Sequence, residues 1–271
     1  MSKGNLQFNQ GFKPSRTHLI GVGLLIALAG LGIGKSCSHT AEIQGQIREG
    51  TTYLEALSHQ DLSAIELAVK KSDEDYMAKM IDAKMAELKQ DPKKVWELFG
   101  DAMVIGDSRA VGFNVFDCLP SNQVIAGAGY TIRNIKDAIP VLEQRQPSKL
   151  FLCYGINDIG IGFWPTPEDY AKEYKEILED LQKRLPNTRL YVNSCYPVQS
   201  KALQRGPAWA KVPQYNEAIE QMCKEIGVGY INCNKLAAEN SASYDVDGIH
   251  LKSSFYPVWG AKMIAQTISD E

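Results

Sequence analysis

The apolar positions divide the sequence into three regimes. Thr17 to Gly34 is an 18-residue run without Asp, Glu, Lys or Arg, bounded by Arg16 and Lys35. As a helix it spans about 27 Å, close to the roughly 30 Å of bilayer hydrocarbon, so it reads as a membrane anchor. A cleaved signal peptide is the alternative. Its apolar core would run only about 7–15 residues, and Ser36-Cys37-Ser38 makes a poor cleavage site. Residues 35–50 are polar with two glycines and read as a linker. From Thr52 to Gln90 the period becomes helical: Leu54, Leu57, Leu62, Ile65 and Val69, then Met77, Met80, Ile81, Met85 and Leu88 recur at spacings typical of one helix face. Asp91-Pro92 opens one more short helix that Gly100 ends. Residues 51–99 are therefore expected to form a helical stalk, with the methionines on its packed side rather than on a partner-binding face.

Beyond Gly100, short apolar runs alternate with helical segments, the pattern of a parallel sheet covered on both faces. The expected strands are Ala102–Ile105, Gln123–Ala126, Leu150–Tyr154, Leu190–Cys195 and Gly229–Cys233, with helices near 108–116, 131–145, 167–185, 213–226 and 254–269. Turn residues follow the strands at Gly127-Ala128-Gly129, Gly155-Ile156-Asn157-Asp158 and Tyr196-Pro197. The fold class is α/β: one doubly wound domain over residues 100–271, preceded by the transmembrane helix and the stalk. Functional side chains are expected at the carboxyl ends of its strands.

Charge adds orientation. Residues 1–35 carry Lys3, Lys13, Arg16 and Lys35 and no acid, which leaves 25 basic against 32 acidic residues in the remainder. That balance argues against nucleic-acid binding. The three basic residues ahead of the apolar run predict a cytoplasmic tail over residues 1–16, an anchor over 17–34 and an extracytoplasmic bulk. Gly30 and Gly34 make a small-xxx-small pair, which helix pairing and ordinary membrane composition explain equally well. The six cysteines show no metal-ligand spacing, so no metal site is expected. Cys153, Cys195 and Cys233 fall in or beside strands and read as small buried hydrophobes.

Ser108 follows the first strand and the Gly106-Asp107 turn, where its hydroxyl would face the crevice at the sheet's carboxyl end. Asp107 and Ser108 would serve equally as helix caps. His250 is the one histidine in residues 100–271, so any serine–histidine chemistry there must use it. Asp247 precedes it by three positions across Gly248, close enough for a carboxylate to fix the imidazole tautomer. Asp245 is a second carboxylate, equally explained as a turn former. Asn157 could donate a side-chain N–H to an oxyanion or start an Asx turn. Gly127 and Gly129 could each expose a backbone N–H or supply a tight turn. Gly127-x-Gly129 lacks a third glycine and does not follow the first strand, so it makes a weak dinucleotide fingerprint.

In order, Gly106-Asp107-Ser108, Gly129, Gly155-x-Asn157-Asp158 and Asp247-x-x-His250 resemble the four blocks of the SGNH hydrolase family, also called GDSL-type esterases. The resemblance covers about 170 of the 271 residues. It implies a three-layer α/β/α, flavodoxin-like domain with a five-stranded parallel sheet and no cofactor. It assigns Ser108 as nucleophile, His250 as general base and acid, and Asp247 as its orienting partner. The Ser108 and Gly129 N–H groups and the Asn157 side chain would form the oxyanion hole; Gly129 is preferred because Gly129-Tyr130-Thr131 resembles the family's small-Gly-x-Thr stretch. Arg109 replaces the family's usual leucine, a variation similar to that of exported bacterial members.

The expectation for the whole chain is a membrane-tethered extracytoplasmic serine esterase that removes O-acyl groups, acetyl among them, from a cell-surface glycan. The alternatives are an O-acyltransferase component served by a membrane partner through the stalk, a lysophospholipase acting on a lipid ester, a thioesterase, and an inactive glycan-binding module. Arg109 could hold an anionic substrate group or pair with a neighbouring acid. The basic segment Val198–Val212, with Lys201, Arg205, Lys211 and Trp209, would line the crevice. Trp209 and Trp164 could stack on a sugar ring or merely anchor their loops.

Overall fold

The computed structural model describes residues 40–58 and 63–270. The expected tail and anchor, residues 1–16 and 17–34, lie outside the described residues. Among the described residues no helix is long and apolar enough to cross a membrane. The chain divides into two compact units, residues 1–68 and 69–271.

The first unit contains helix α1, Thr40–Ser58. It runs through the stretch expected to be a linker, a correction for residues 40–50. Gly45 and Gly50 each cost only about 1 kcal/mol in a helix, and Ala41, Glu42, Gln44, Gln46, Arg48 and Glu49 are all good helix formers with no proline among them. Its Leu54 is exposed rather than packed.

Helix α2, Ser63–Gln90, enters the second unit at Val69 and is followed by α3, Pro92–Phe99. Asp91 caps α3 by accepting the Lys94 N–H. Val69 and Met80 are exposed, but Ile81, Met85 and Leu88 of α2 and Val95 and Phe99 of α3 are buried. They join one core with strand and carboxyl-terminal helix residues, and the Phe99 ring lies 5.5 Å from that of Phe151. The expected boundary at Gly100 is thus corrected: the end of the stalk is part of the domain core. A helical period marks an apolar face without saying which surface will cover it.

The sheet contains β1 Met103–Gly106, β2 Val124–Ala126, β3 Lys149–Cys153, β4 Arg189–Asn193 and β5 Gly229–Ile231. All neighbours are parallel, in the order β2-β1-β3-β4-β5. The strands read as continuous apolar runs because helices cover both faces. Side chains alternate between two cores: Val104, Phe151, Tyr191 and Ile231 face one, and Met103, Ile105, Leu150, Leu152, Leu190 and Val192 face the other. The order of helices in the chain is α4 Ser108–Val115, α5 Ile135–Arg145, α6 Ile156–Ile161, α7 Pro167–Arg184, α8 Ser200–Leu203, α9 Val212–Ile226, α10 Asn234–Glu239 and α11 Tyr256–Gln266. Residues of α2, α3, α4, α10 and α11 fill the first core, and those of α5, α6, α7 and α9 the second, giving three layers. Strand order reverses at β1, so the crevice beyond its carboxyl end is where a ligand is expected.

Helices α6, α8 and α10 were not expected. Each has six residues or fewer, too short to show a helical period. The five cysteines among the described residues are free thiols, and Cys153, Cys195, Cys223 and Cys233 are buried.

Candidate active site

Ser108 is the first residue of α4, directly beyond β1. Gly106 permits this turn by leaving out a side chain: a Cβ there would lie 2.5 Å from the Cys153 carbonyl and 2.6 Å from the Ala110 Cβ. Asp107 caps α4, its carboxylate accepting the Arg109 N–H at 2.9 Å. Burial lifts the Asp107 carboxyl to about 6, against the pull of the Arg109 charge and N–H.

His250 arrives from the last long loop, which closes on itself through a Tyr244–Leu251 bridge and an Asp245 N–H bond to the His250 carbonyl at 2.8 Å. Its Nε2 lies 2.9 Å from Ser108 Oγ, and its Nδ1 lies 2.5 Å from Asp247 Oδ2. The other Asp247 oxygen accepts the N–H groups of Ile249 at 2.8 Å and His250 at 2.9 Å. Burial works against the Asp247 charge, but the His250 side chain and these two N–H groups outweigh it and hold the carboxyl down at about 2. A carboxylate ionised at neutral pH keeps a proton on Nδ1 and leaves Nε2 free to accept one from Ser108.

Gly129 and Asn157 lie beyond β2 and β3, the strands on either side of β1. Asn157 donates one side-chain N–H to the Tyr130 carbonyl at 2.9 Å, and the Ile132 N–H donates to Asp158 Oδ1 at 2.9 Å. These two bonds tie the loop carrying Gly129 to the turn carrying Asn157. Gly129 has φ +78° with open space where a Cβ would be. Its N–H and that of Ser108 have no acceptor among the described residues. Gly127 differs, because its N–H donates to the Gly106 carbonyl at 3.2 Å. Asp158 is fully buried, and burial raises its carboxyl to about 7.

Arg109 is 3% exposed and points inward, with Nε on the Ile249 carbonyl at 3.0 Å and Nη1 on the Tyr196 carbonyl at 2.7 Å. It does not present its charge to solvent. Trp164 is buried, with Nε1 on Glu173 at 2.7 Å and its ring 4.8 Å from the Arg133 guanidinium. Trp209 donates Nε1 to the Ile156 carbonyl at 2.8 Å, and its ring packs against Gly160 and Gly206. Both tryptophans anchor loops, and Trp209 does so one residue from Asn157.

The segment 198–212 holds the histidine loop. The Gln199 N–H donates to the Gly248 carbonyl at 2.8 Å, Lys201 Nζ to the Asp245 carbonyl at 3.4 Å, and the Arg205 guanidinium to the Asp247 carbonyl. Sequence reasoning missed these roles. Basic charge was the one available signal, and main-chain acceptors leave no mark in a sequence.

The family described as GDSL-like Lipase/Acylhydrolase matches residues 104–256. A GDSL-like lipase from Bacteroides thetaiotaomicron is similar in structure at 19% identity and a TM-score of 0.50, over 62% of this chain and 87% of that one. The lipase/acylhydrolase from Enterococcus faecalis is similar at 12% identity and a TM-score of 0.50, over 62% of this chain and 96% of that one. At these identities the likeness is one of fold. No curated protein matches the sequence.

Proposed function

Because the chain belongs to the GDSL-like lipase/acylhydrolase family and is a hydrolase acting on esters, we propose that it is a membrane-tethered extracytoplasmic esterase that removes short O-acyl groups, acetyl foremost, from a cell-surface glycan. The observation that carries the catalytic part is the hydrogen-bonded series Ser108–His250–Asp247. Ser108 Oγ attacks the ester carbonyl while His250 Nε2 takes its proton, and Asp247 stabilises the imidazolium that forms. The Ser108 and Gly129 N–H groups and the second N–H of the Asn157 amide receive the oxyanion. His250 then returns the proton to the leaving alcohol. Water, deprotonated by the same imidazole, releases the acyl group from Ser108 as the free acid.

The tether is supported by the uncharged run Thr17–Gly34, and the outward orientation by the basic residues ahead of it. A short acyl group on a large acceptor is supported by the openness of the site. The His250 side chain is 45% exposed, and Gly129 lies at the surface. Such a site admits an acyl group presented on a polymer.

The test is the release of free acetate from an O-acetylated glycan by the full chain in detergent, beside a Ser108→Ala control. Acetate release by the parent and its absence in the control are expected. Turnover of nitrophenyl acetate without any action on glycans would overturn the substrate class, and transfer of acetyl to sugar hydroxyls without free acetate would overturn the reaction type.

A further inference from the structure

Arg109 carries a permanent charge into the core, and both carbonyls its guanidinium meets belong to the main chain. A buried cation gives up its hydration, a loss that an apolar side chain of similar volume would avoid. Tyr196 lies three residues beyond β4, its ring buried against Phe255 and Trp259. Ile249 is the residue before His250, and Arg109 is the residue after Ser108. One planar group thus joins the helix of the serine, the buried segment that follows β4 and the loop of the histidine. The loop is also held by Gln199, Lys201 and Arg205 and by the Tyr244 hydroxyl on the Pro197 carbonyl, all on the side of segment 197–212; from the helix that bears Ser108 it is met by Arg109 and by the Ser108–His250 pair itself.

We propose that Arg109 is a positioning residue: it fixes the Ile249 carbonyl against the start of α4 and thereby sets the separation of His250 Nε2 from Ser108 Oγ. The Asp247–His250 pair is internal to the loop and does not depend on it. The inference rests on the reading of Ser108 as nucleophile and His250 as base. A misplacement of about 1 Å in such a pair costs roughly 100-fold in rate.

The experiment compares the full chain with Arg109→Met and Arg109→Lys on nitrophenyl acetate, with folding checked by near-UV circular dichroism. The downfield proton resonance of the His250 Nδ1–H reports the loop pair. The expected result is a fall in kcat of about 100-fold in R109M, with KM within about threefold and the resonance retained. R109K, whose ammonium can meet one carbonyl in place of two, should lie between, at about tenfold. Parental kcat in either folded variant overturns the proposal. So does loss of the resonance together with kcat, since Arg109 would then hold the loop pair itself. If R109M does not fold, R109K decides alone. Ser108→Ala run in parallel separates the two levels: turnover surviving in S108A condemns the nucleophile assignment, whereas parental kcat in R109K condemns only the role of Arg109.

Discussion

Asp247 Oδ2 lies 2.5 Å from Nδ1 of His250, and Asp247 Oδ1 accepts the histidine's own backbone N–H at 2.9 Å. One carboxylate thus fixes both the ring and the main chain of the residue three positions later. Asparagine can still accept the two N–H groups but cannot hold the imidazolium. Asp247→Asn is expected to keep the loop and lower kcat by roughly 10³–10⁴, with little change in KM. Steady-state kinetics on a nitrophenyl ester check this, and a loss below tenfold would show that the carboxylate is not needed.

A half-buried carboxylate and a buried one, Asp247 and Asp158, impose opposite pH trends on stability. Asp247 is held at about 2, below its ordinary 3.8, so its contribution is present above about pH 4 and lost as pH falls through 2. Asp158 is raised to about 7 from 3.8, so its contribution is full below about pH 4 and lost as pH rises through 7. Asp158→Asn keeps an acceptor for the Ile132 N–H and has nothing to ionise. Its urea midpoint is expected to gain on the parent's between about pH 4 and about pH 7. A constant gap across that range would rule out ionisation of Asp158 within it.

Asn157→Ala removes the side-chain N–H offered to the oxyanion and also the bond to the Tyr130 carbonyl. An oxyanion donor contributes to the transition state more than to the bound substrate, so kcat should fall by roughly 10²–10³ with KM nearly constant. Equal changes in kcat and KM would point instead to loss of the Gly129 loop geometry.

Trp209→Phe keeps an aromatic ring between Gly160 and Gly206 but deletes the bond to the Ile156 carbonyl. One such bond contributes about 1 kcal/mol, which lowers Tm by about 2–4 °C in a domain of this size. Because Ile156 adjoins Asn157, kcat should fall about fivefold as well, a loss of about 1 kcal/mol in transition-state binding. Calorimetry and kinetics on the same preparation test the pair of effects.

Removal of residues 1–68 is expected to leave a folded, active protein, since residues 69–271 form their own compact unit. Removal up to Gly100 should not, because Leu88, Val95 and Phe99 would be stripped from the core. Phe99→Ala alone should cost about 3–5 kcal/mol. Denaturant unfolding of the three proteins gives the ranking.

The five strands were legible because a strand of a covered parallel sheet is a short, largely apolar run; β1, β3 and β4 are buried along nearly their whole length, and the half-buried edge strands β2 and β5 kept the same pattern. Asp107-Ser108 and Asp247-x-x-His250 were legible as local units for a related reason. Capping and three-residue loop contacts depend on neighbours in the chain, which the sequence displays directly. The end of the stalk was less legible: Met85 and Leu88 gave the period of an apolar face but not the partner, which comes from the far end of the chain.

By itself, then, the sequence determined the alternation of strands and helices, the serine at a strand end and the aspartate–histidine pair, all of which rest on interactions within a few residues. The tertiary structure alone decided that Ser108 meets His250 across 142 positions, that Gly127 has its N–H engaged while Gly129 does not, and that Arg109 turns inward. The Ser108–His250 contact needs two distant segments brought together, and the other two cases share one reason. Every residue carries a carbonyl, so a hydrogen bond to one specifies no residue type, and which carbonyl is within reach is fixed only when the sheet and its loops are assembled.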